Sequence, residues 1–371
     1  MMSTAKARSV GIDRRTLLKT AAVGAASASA LTTAIAQAST GSPGFYVNRN
    51  QDGGELHIYA WYQSWLDEVV PIFEEETGVK VTNLGAYSTN AEWWARLNAG
   101  EAFDFFIPTT DWMQRAMRSD LLHEIDPEQI PNIANLFADD QSREMYQQDG
   151  ATYAIPYSRL LFCLGYNTNT FSEAPTSWSA TWDEQYAGKI TMQESGQARV
   201  GTTALLLGDD PLNPTQWDEI GEKLREQKAL VLKYWADYQN SMEMFVSEDV
   251  LVGEISDGRA RMGMAAGGAM NWTVPEEGCL AFVDTFAIPG TAKNPENAHR
   301  FIDFLLRADI TARQMELMNY DTVNEAALAE VDPAFAEQLA ASEGANVVIT
   351  EDIDPQVRTR MDELWTEVSL S

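Results

Sequence analysis

The residues able to do chemistry in this chain are scattered rather than gathered. Three histidines, His57, His123 and His299, could act as bases or zinc ligands, but no two stand at metal-ligand spacing. Two cysteines, Cys163 and Cys279, lie in apolar, strand-like stretches. They read as buried free thiols or as one bridge, and not as a disulfide framework. A G-x-S-x-G elbow, a Walker loop and an H-E-x-x-H helix are all missing. The glycines at 263, 267 and 268 form no dinucleotide fingerprint. Asp139-Asp140 and Glu351-Asp352-Ile353-Asp354 lack the full spacing of a calcium loop. Carboxylates are plentiful, so a glycosidase pair far apart in sequence stays open, which keeps a secreted hydrolase as a distant alternative. The expectation is a protein that is not an enzyme and holds no catalytic group, cofactor or metal.

The N-terminus points to where such a protein works. Asp13-Arg14-Arg15-Thr16-Leu17-Leu18-Lys19 precedes a mildly apolar run that ends in Ala36-Gln37-Ala38. A basic region, an apolar region and a small-x-small end resemble a twin-arginine export signal, cleaved after Ala38. Residues 20–38 are too rich in small side chains to form a membrane anchor, and no lipid-attachment cysteine follows. The mature chain is expected to be a soluble periplasmic protein. Its signal carries five basic residues and one acid, so cleavage moves the net charge from −29 to −33. Long-range repulsion then opposes binding to nucleic acid or to an anionic membrane surface. The acidity suits cationic ligands, but adaptation to a salty environment explains it as well, so total charge identifies no ligand.

Behind these residues lies an alternation of strands and helices. Residues 39–54 form a polar leader rich in Gly and Ser. Leu56–Trp61 reads as a strand, Trp65–Thr77 as a helix stopped by Gly78 and weakened by Pro71, and Val79–Leu84 as the next strand. Ala91–Ala99, Phe103–Pro108 and Asp111–Ser119 continue as helix, strand and helix. Further strands are expected at Tyr153–Tyr157, Leu160–Tyr166, Gly188–Met192 and Gly278–Pro289. Further helices are expected at Arg199–Leu207, Trp217–Gln227 and Pro295–Leu306. This spacing favours α/β architecture with mainly parallel sheets covered on both faces.

Several segments together resemble the periplasmic solute-binding proteins of ABC importers, and within them the spermidine/putrescine-binding group. They are LHIYAWYQSWLDEVVPIFEEETGVKV, FDFFIPTTDWMQRA, YAIPYSRLLFCLGYNT, WDEQYAGKIT, EEGCLAFVDTFAIPGTAKNPENAHRFIDFLLR and NYDTVN, in family order from about Leu56 to Asn324. The resemblance implies a type II-like fold of two α/β lobes joined by a hinge. Lobe 1 would take residues 55–155 and 285–340, and lobe 2 residues 156–284 and 341–371. It implies a monomer that closes on a small amine and docks on an inner-membrane ABC permease.

Polyamine capture needs aromatic faces around the methylenes and ammonium groups, and carboxylates at the charged ends. By resemblance, Trp61 holds the family's aromatic position after the first strand, beside Tyr62. Asp111 and Trp112 follow the third strand, where the family uses Ser/Thr and an aromatic. Phe282 and Asp284 stand where it carries an aromatic and its principal amine-binding aspartate. Tyr157, Glu194 and Asp257 complete the expected set with Arg159. Trp61 and Phe282 could equally be core aromatics, and Asp284 a solvated or hinge-pairing acid. The chain departs from the pattern at Ser256, which replaces a tryptophan, and in the loop Gln193–Arg199, which keeps only Glu194 and adds Arg199. Arg159 or Arg199 in the cleft would favour a zwitterionic ligand, such as an amino acid, an opine-like conjugate, or a phosphonate or quaternary amine.

Overall fold

A computed structural model describes residues 53–61, 64–141, 143–339 and 344–371. The export signal, nearly all of the leader and Tyr62 lie outside the described residues. Strand β1 (Glu55–Trp61) pairs in parallel with β2 (Lys80–Tyr87) across the helix Ser64–Thr77. That helix turns Trp65, Val69 and Phe73 into the core. Pro71 lies on its exposed side, where the backbone carbonyl it leaves without a donor can be hydrated. The expected third strand is reduced to single bridges, Ile58 with Phe105 and Phe106 with Ala287. These still seat Phe105 against Phe286 and Phe301, with ring centroids 5.4 and 5.0 Å apart. The helix Asn90–Asn98 starts at a capping box in which Thr89 and Glu92 satisfy each other's backbone amides.

After the short hairpin of β3 (Gln147–Gln148) and β4 (Ala151–Thr152), the two strands expected around Tyr157 prove to be one. This strand, β5, runs unbroken from Ala154 to Asn167. It belongs to a larger sheet with β6 (Ile190–Gln193), β7 (Val231–Trp235), β8 (Val252–Ser256), β9 (Met270–Thr273), β10 (Cys279–Ala287), β11 (Asp321–Thr322) and β12 (Val347–Ile349). The expected parallel pairing holds for β6 with β7 and β8 and for β10 with β12. Every antiparallel pair in this sheet includes β5, which meets β8, β9, β10 and β11.

The reason is that β5 and β10 serve two cores. Ile155, Tyr157 and Phe286 pack with β1, the helix Ser64–Thr77 and the helix Pro295–Leu305. Leu161–Leu164, Cys279 and Ala281 pack instead with Trp178, Ile190, Trp235, Phe245 and Ile255. The two lobes are therefore tied by a pair of antiparallel strands. Their register breaks at the crossing: Asp284 faces Ser158 while Thr285 faces Pro156. Pro156 has no N–H to give a ladder, so an irregular point is where a sheet tolerates it.

Candidate ligand-binding site

Strand β10 carries the clearest mark of a cleft. Its nine residues are buried except for Phe282 and Asp284, which keep partial access to solvent. Positions two apart on a strand share a face, so an aromatic ring and a carboxylate look out together at the crossing between the lobes. Leu160, the partly exposed residue of β5, lies opposite Phe282. Phe162 meets Phe282 edge to face, at 5.3 Å and 90°. Tyr238 stands 6.2 Å from Phe162.

Asp284 is unusual for a carboxylate. Among the described residues no arginine, lysine or histidine pairs with it. Burial, and then the nearby Asp111 carboxylate, push its carboxyl up to about 7, against a hydrogen bond donated by the Tyr157 hydroxyl. One stretch of chain holds the two acids together. Thr109 makes a backbone bridge to Asp284, and its hydroxyl donates to Asp111 Oδ1 at 2.6 Å. The Thr110 hydroxyl donates to the Val283 carbonyl at 2.9 Å. Burial also raises the Asp111 carboxyl, partly offset by Thr109, by Arg358 at 4.0 Å and by its own helix terminus. Of two carboxylates brought together out of water only Asp111 has a cation near it, the distant Arg358, and an ammonium group supplies the one that Asp284 lacks among the described residues.

Aromatic rings surround this pair. Trp61 packs at 4.6 Å on Tyr87, and its indole N–H is buried without an acceptor among the described residues. Tyr157 is fully buried, stacked on Phe286 at 4.1 Å and 10°. It therefore positions Asp284 from behind rather than facing a ligand. The Tyr238, Tyr320 and Tyr87 hydroxyls all sense the Asp284 charge, although burial is the larger cause of their raised pKa.

Other expected residues fall elsewhere. Trp112 turns toward Trp93 and Trp94, at 6.1 and 5.8 Å, beneath the Arg115 guanidinium. Glu194 is exposed beyond β6, with no side-chain partner among the described residues. Asp257 is wholly buried: Arg261 Nη1 donates to its Oδ2 at 2.8 Å, and the Leu161 amide to its Oδ1 at 3.1 Å. It ties a helix to β5 and cannot face a cleft. Arg159 is buried beside Asp140 at 3.5 Å, in a cluster with Arg143, and not beside Asp284. Arg199 forms a fully buried ion pair with Glu254. Charges this deep need partners, which is why neither arginine is free for a ligand. Ser256, in place of the family's tryptophan, caps the helix Asp257–Ala265.

Tyr238, Tyr320 and Arg259 were not legible as site residues. Tyr238 and Arg259 stand in segments without a motif, Tyr320 lies in the family-like segment NYDTVN without a role assigned to it there, and only the fold brings them to β10. Both cysteines are free and buried, so the bridge that the sequence left open is not formed. Among the described residues no group of His, Cys, Asp and Glu could hold a metal ion, and no helix is long and apolar enough to cross a membrane.

Two lobes on a pair of crossing strands, with acids and aromatics gathered where they cross, define a cleft-type solute-binding protein. A model of the family described as bacterial extracellular solute-binding protein matches residues 68–341, and the chain belongs to that family. Spermidine/putrescine-binding periplasmic protein 1 of Haemophilus influenzae is 27% identical over 299 residues, which cover 79% of this chain and 82% of the relative. The spermidine/putrescine-binding periplasmic protein of Escherichia coli is 28% identical over 289 residues, covering 77% and 82%. A solved spermidine/putrescine ABC transporter substrate-binding protein from Streptococcus pneumoniae superposes with a TM-score of 0.78 at 22% identity, covering 85% of this chain and 99% of the other. That likeness carries the two-lobe fold.

Proposed function

We propose that the protein is the periplasmic substrate-binding component of an ABC importer. It captures a small organic amine between its lobes, with polyamines such as putrescine or spermidine as the starting assignment, and delivers it as a monomer to an inner-membrane permease. The observation that carries this reading is Asp284: a carboxylate at the lobe crossing, beside a second acid and with no cation paired to it among the described residues. The names of the relatives support the ligand class. The ligand-facing set is Trp61, Asp111, Phe282 and Asp284, with the partly exposed Tyr238 and Tyr320 added. The change of core along β10, between Ala281 and Phe286, supports a lobe division at 284/285, whereas along β5 it falls between Tyr157 and Leu161, a few residues beyond the expected 155/156. Export and cleavage after Ala38 belong to the same proposal. A binding role asks for no catalytic group.

The test is calorimetric titration of the purified chain with putrescine and spermidine at neutral pH. One site per chain is expected, abolished or weakened at least ~30-fold in Asp284→Asn, which removes a charge-assisted contact. Undiminished binding by that variant would reject the site. Arg259 favours a second reading within the same class, an amine that also bears an acid.

A further inference from the structure

Arg259 stands in the first turn of the helix Asp257–Ala265, a poor place for a cation because the helix terminus is itself positive. The side chain is only partly exposed, and its Nε is buried with no acceptor among the described residues. Nη1 has nothing better than the Met262 thioether, at 3.2 Å. Among the described residues no carboxylate pairs with it, whereas the nearby cations are committed. Arg261 is bound to Asp257, and Arg358 to Asp352 at 3.1 Å. A guanidinium held partly out of water, at the wrong end of a helix and without an anion, is a receptor that lacks its charge.

Its neighbours are those of Asp284. The ring of Tyr320 lies against Gly258, so close that a Cβ there would sit 2.5 Å from it. Tyr238 reaches Phe162, which in turn packs on Phe282. Tyr238 and Tyr320 both feel the Arg259 charge and the Asp284 charge, with opposite effects on their hydroxyls. Positive and negative centres thus act on the same two tyrosines, and all four side chains keep partial access to solvent.

We propose that the ligand bears an anionic group as well as an amine: Arg259 receives the anion between Tyr238 and Tyr320 while the ammonium lies at Asp284. The ligand class is then a small amino acid with separated charges, its acid a carboxylate or a phosphonate. A diamine would place its second ammonium beside an unpaired guanidinium. This inference rests on the amine-capture reading above and narrows it.

Calorimetric titration of the purified chain separates the cases with three probes of similar length. Putrescine has an ammonium at each end, 4-aminobutyrate replaces one with a carboxylate, and 3-aminopropylphosphonate replaces it with a phosphonate. One of the two zwitterions should bind at least ~10-fold tighter than putrescine, and which one does identifies the acid. Arg259→Gln should weaken that zwitterion ~10- to 100-fold, the range for a charge-assisted hydrogen bond, and leave putrescine unchanged or improved. Arg259→Lys keeps the charge without the fork and should fall between, which separates recognition from a failure to fold. Tighter binding of putrescine, with dependence on Asp284, would overturn this inference and uphold amine capture. So would a zwitterion whose affinity ignores Arg259→Gln. Failure of all three probes to bind would overturn this inference, and failure of spermidine as well would overturn amine capture.

Discussion

Capture of an amine at Asp284 should be coupled to a proton. The free site holds this carboxyl at about 7, mainly through burial and secondarily through Asp111. A bound ammonium favours the ionised form and must pull that value down. Affinity should therefore be flat above neutrality and fall about tenfold per pH unit below it. From a free-site value of about 7, the apparent Kd should weaken ~25-fold between about pH 7.5 and about pH 5.5. The same shift acts on the empty fold with its own sign. An unfolded aspartate titrates near ~3.9, so the folded state holds the proton more tightly, and stability is lost as pH rises from about 4 through about 7. The upper bound on that loss is ~4 kcal/mol, at 1.36 kcal/mol per unit. Asp284→Asn should thus raise the apo melting temperature at about pH 8, have no effect near pH 4, and abolish the pH dependence of binding. The assays are calorimetric titration in buffers of different ionisation enthalpy, which counts released protons, and thermal melts of both proteins. Affinity that does not change between those pH values, or a variant that keeps the wild-type profile, would refute the assignment.

Arg199→Ala would strand Glu254 at zero exposure, and denaturant unfolding should show a loss of about 3–5 kcal/mol; a loss below ~1 kcal/mol would contradict a buried pair. Asp352 gathers Arg115, Arg118 and Arg358, linking the helix Thr110–Arg118 to the segment before the C-terminal helix. Asp352→Ala should loosen that latch and enlarge the radius of gyration of the ligand-free protein in X-ray scattering. An unchanged radius would show that this ion-pair cluster does not hold the two segments together. Cys163 and Cys279 should resist thiol reagents in the native state and both react on unfolding, with a melting temperature indifferent to reductant. Trp61→Ala should weaken ligand binding ~2- to 30-fold, the range of a cation–π contact; no effect would return Trp61 to the core.

Elements with strong periodicity were legible in the sequence: the helix Pro295–Leu305 lies within a residue of its amphipathic stripe, and β10, at Cys279–Ala287, stops two residues before the expected end at Pro289. Segments without such a signal were missed, among them the helix Tyr238–Val246 and β8, whose five residues are buried on both faces and so show no alternation. The continuity of β5 was hidden by Pro156 and Arg159, which look like interruptions until the register break and the Asp140 pair accommodate them. Phe282 and Asp284 were legible through the family resemblance, and the structure sets them on one strand face. Arg259 was not. Arg159, Arg199, Arg259 and Arg261 look alike in sequence, and only burial and partner carboxylates separate three structural cations from one left free.

A ligand-bound crystal structure at neutral pH, grown with whichever of putrescine, spermidine and 4-aminobutyrate binds tightest, tests amine capture most directly. The ammonium nitrogen should lie within about 3.2 Å of an Asp284 carboxylate oxygen, with Phe282 and Tyr238 against the methylenes. A ligand seated away from the lobe crossing, or an Asp284 carboxylate turned from the amine, would contradict it.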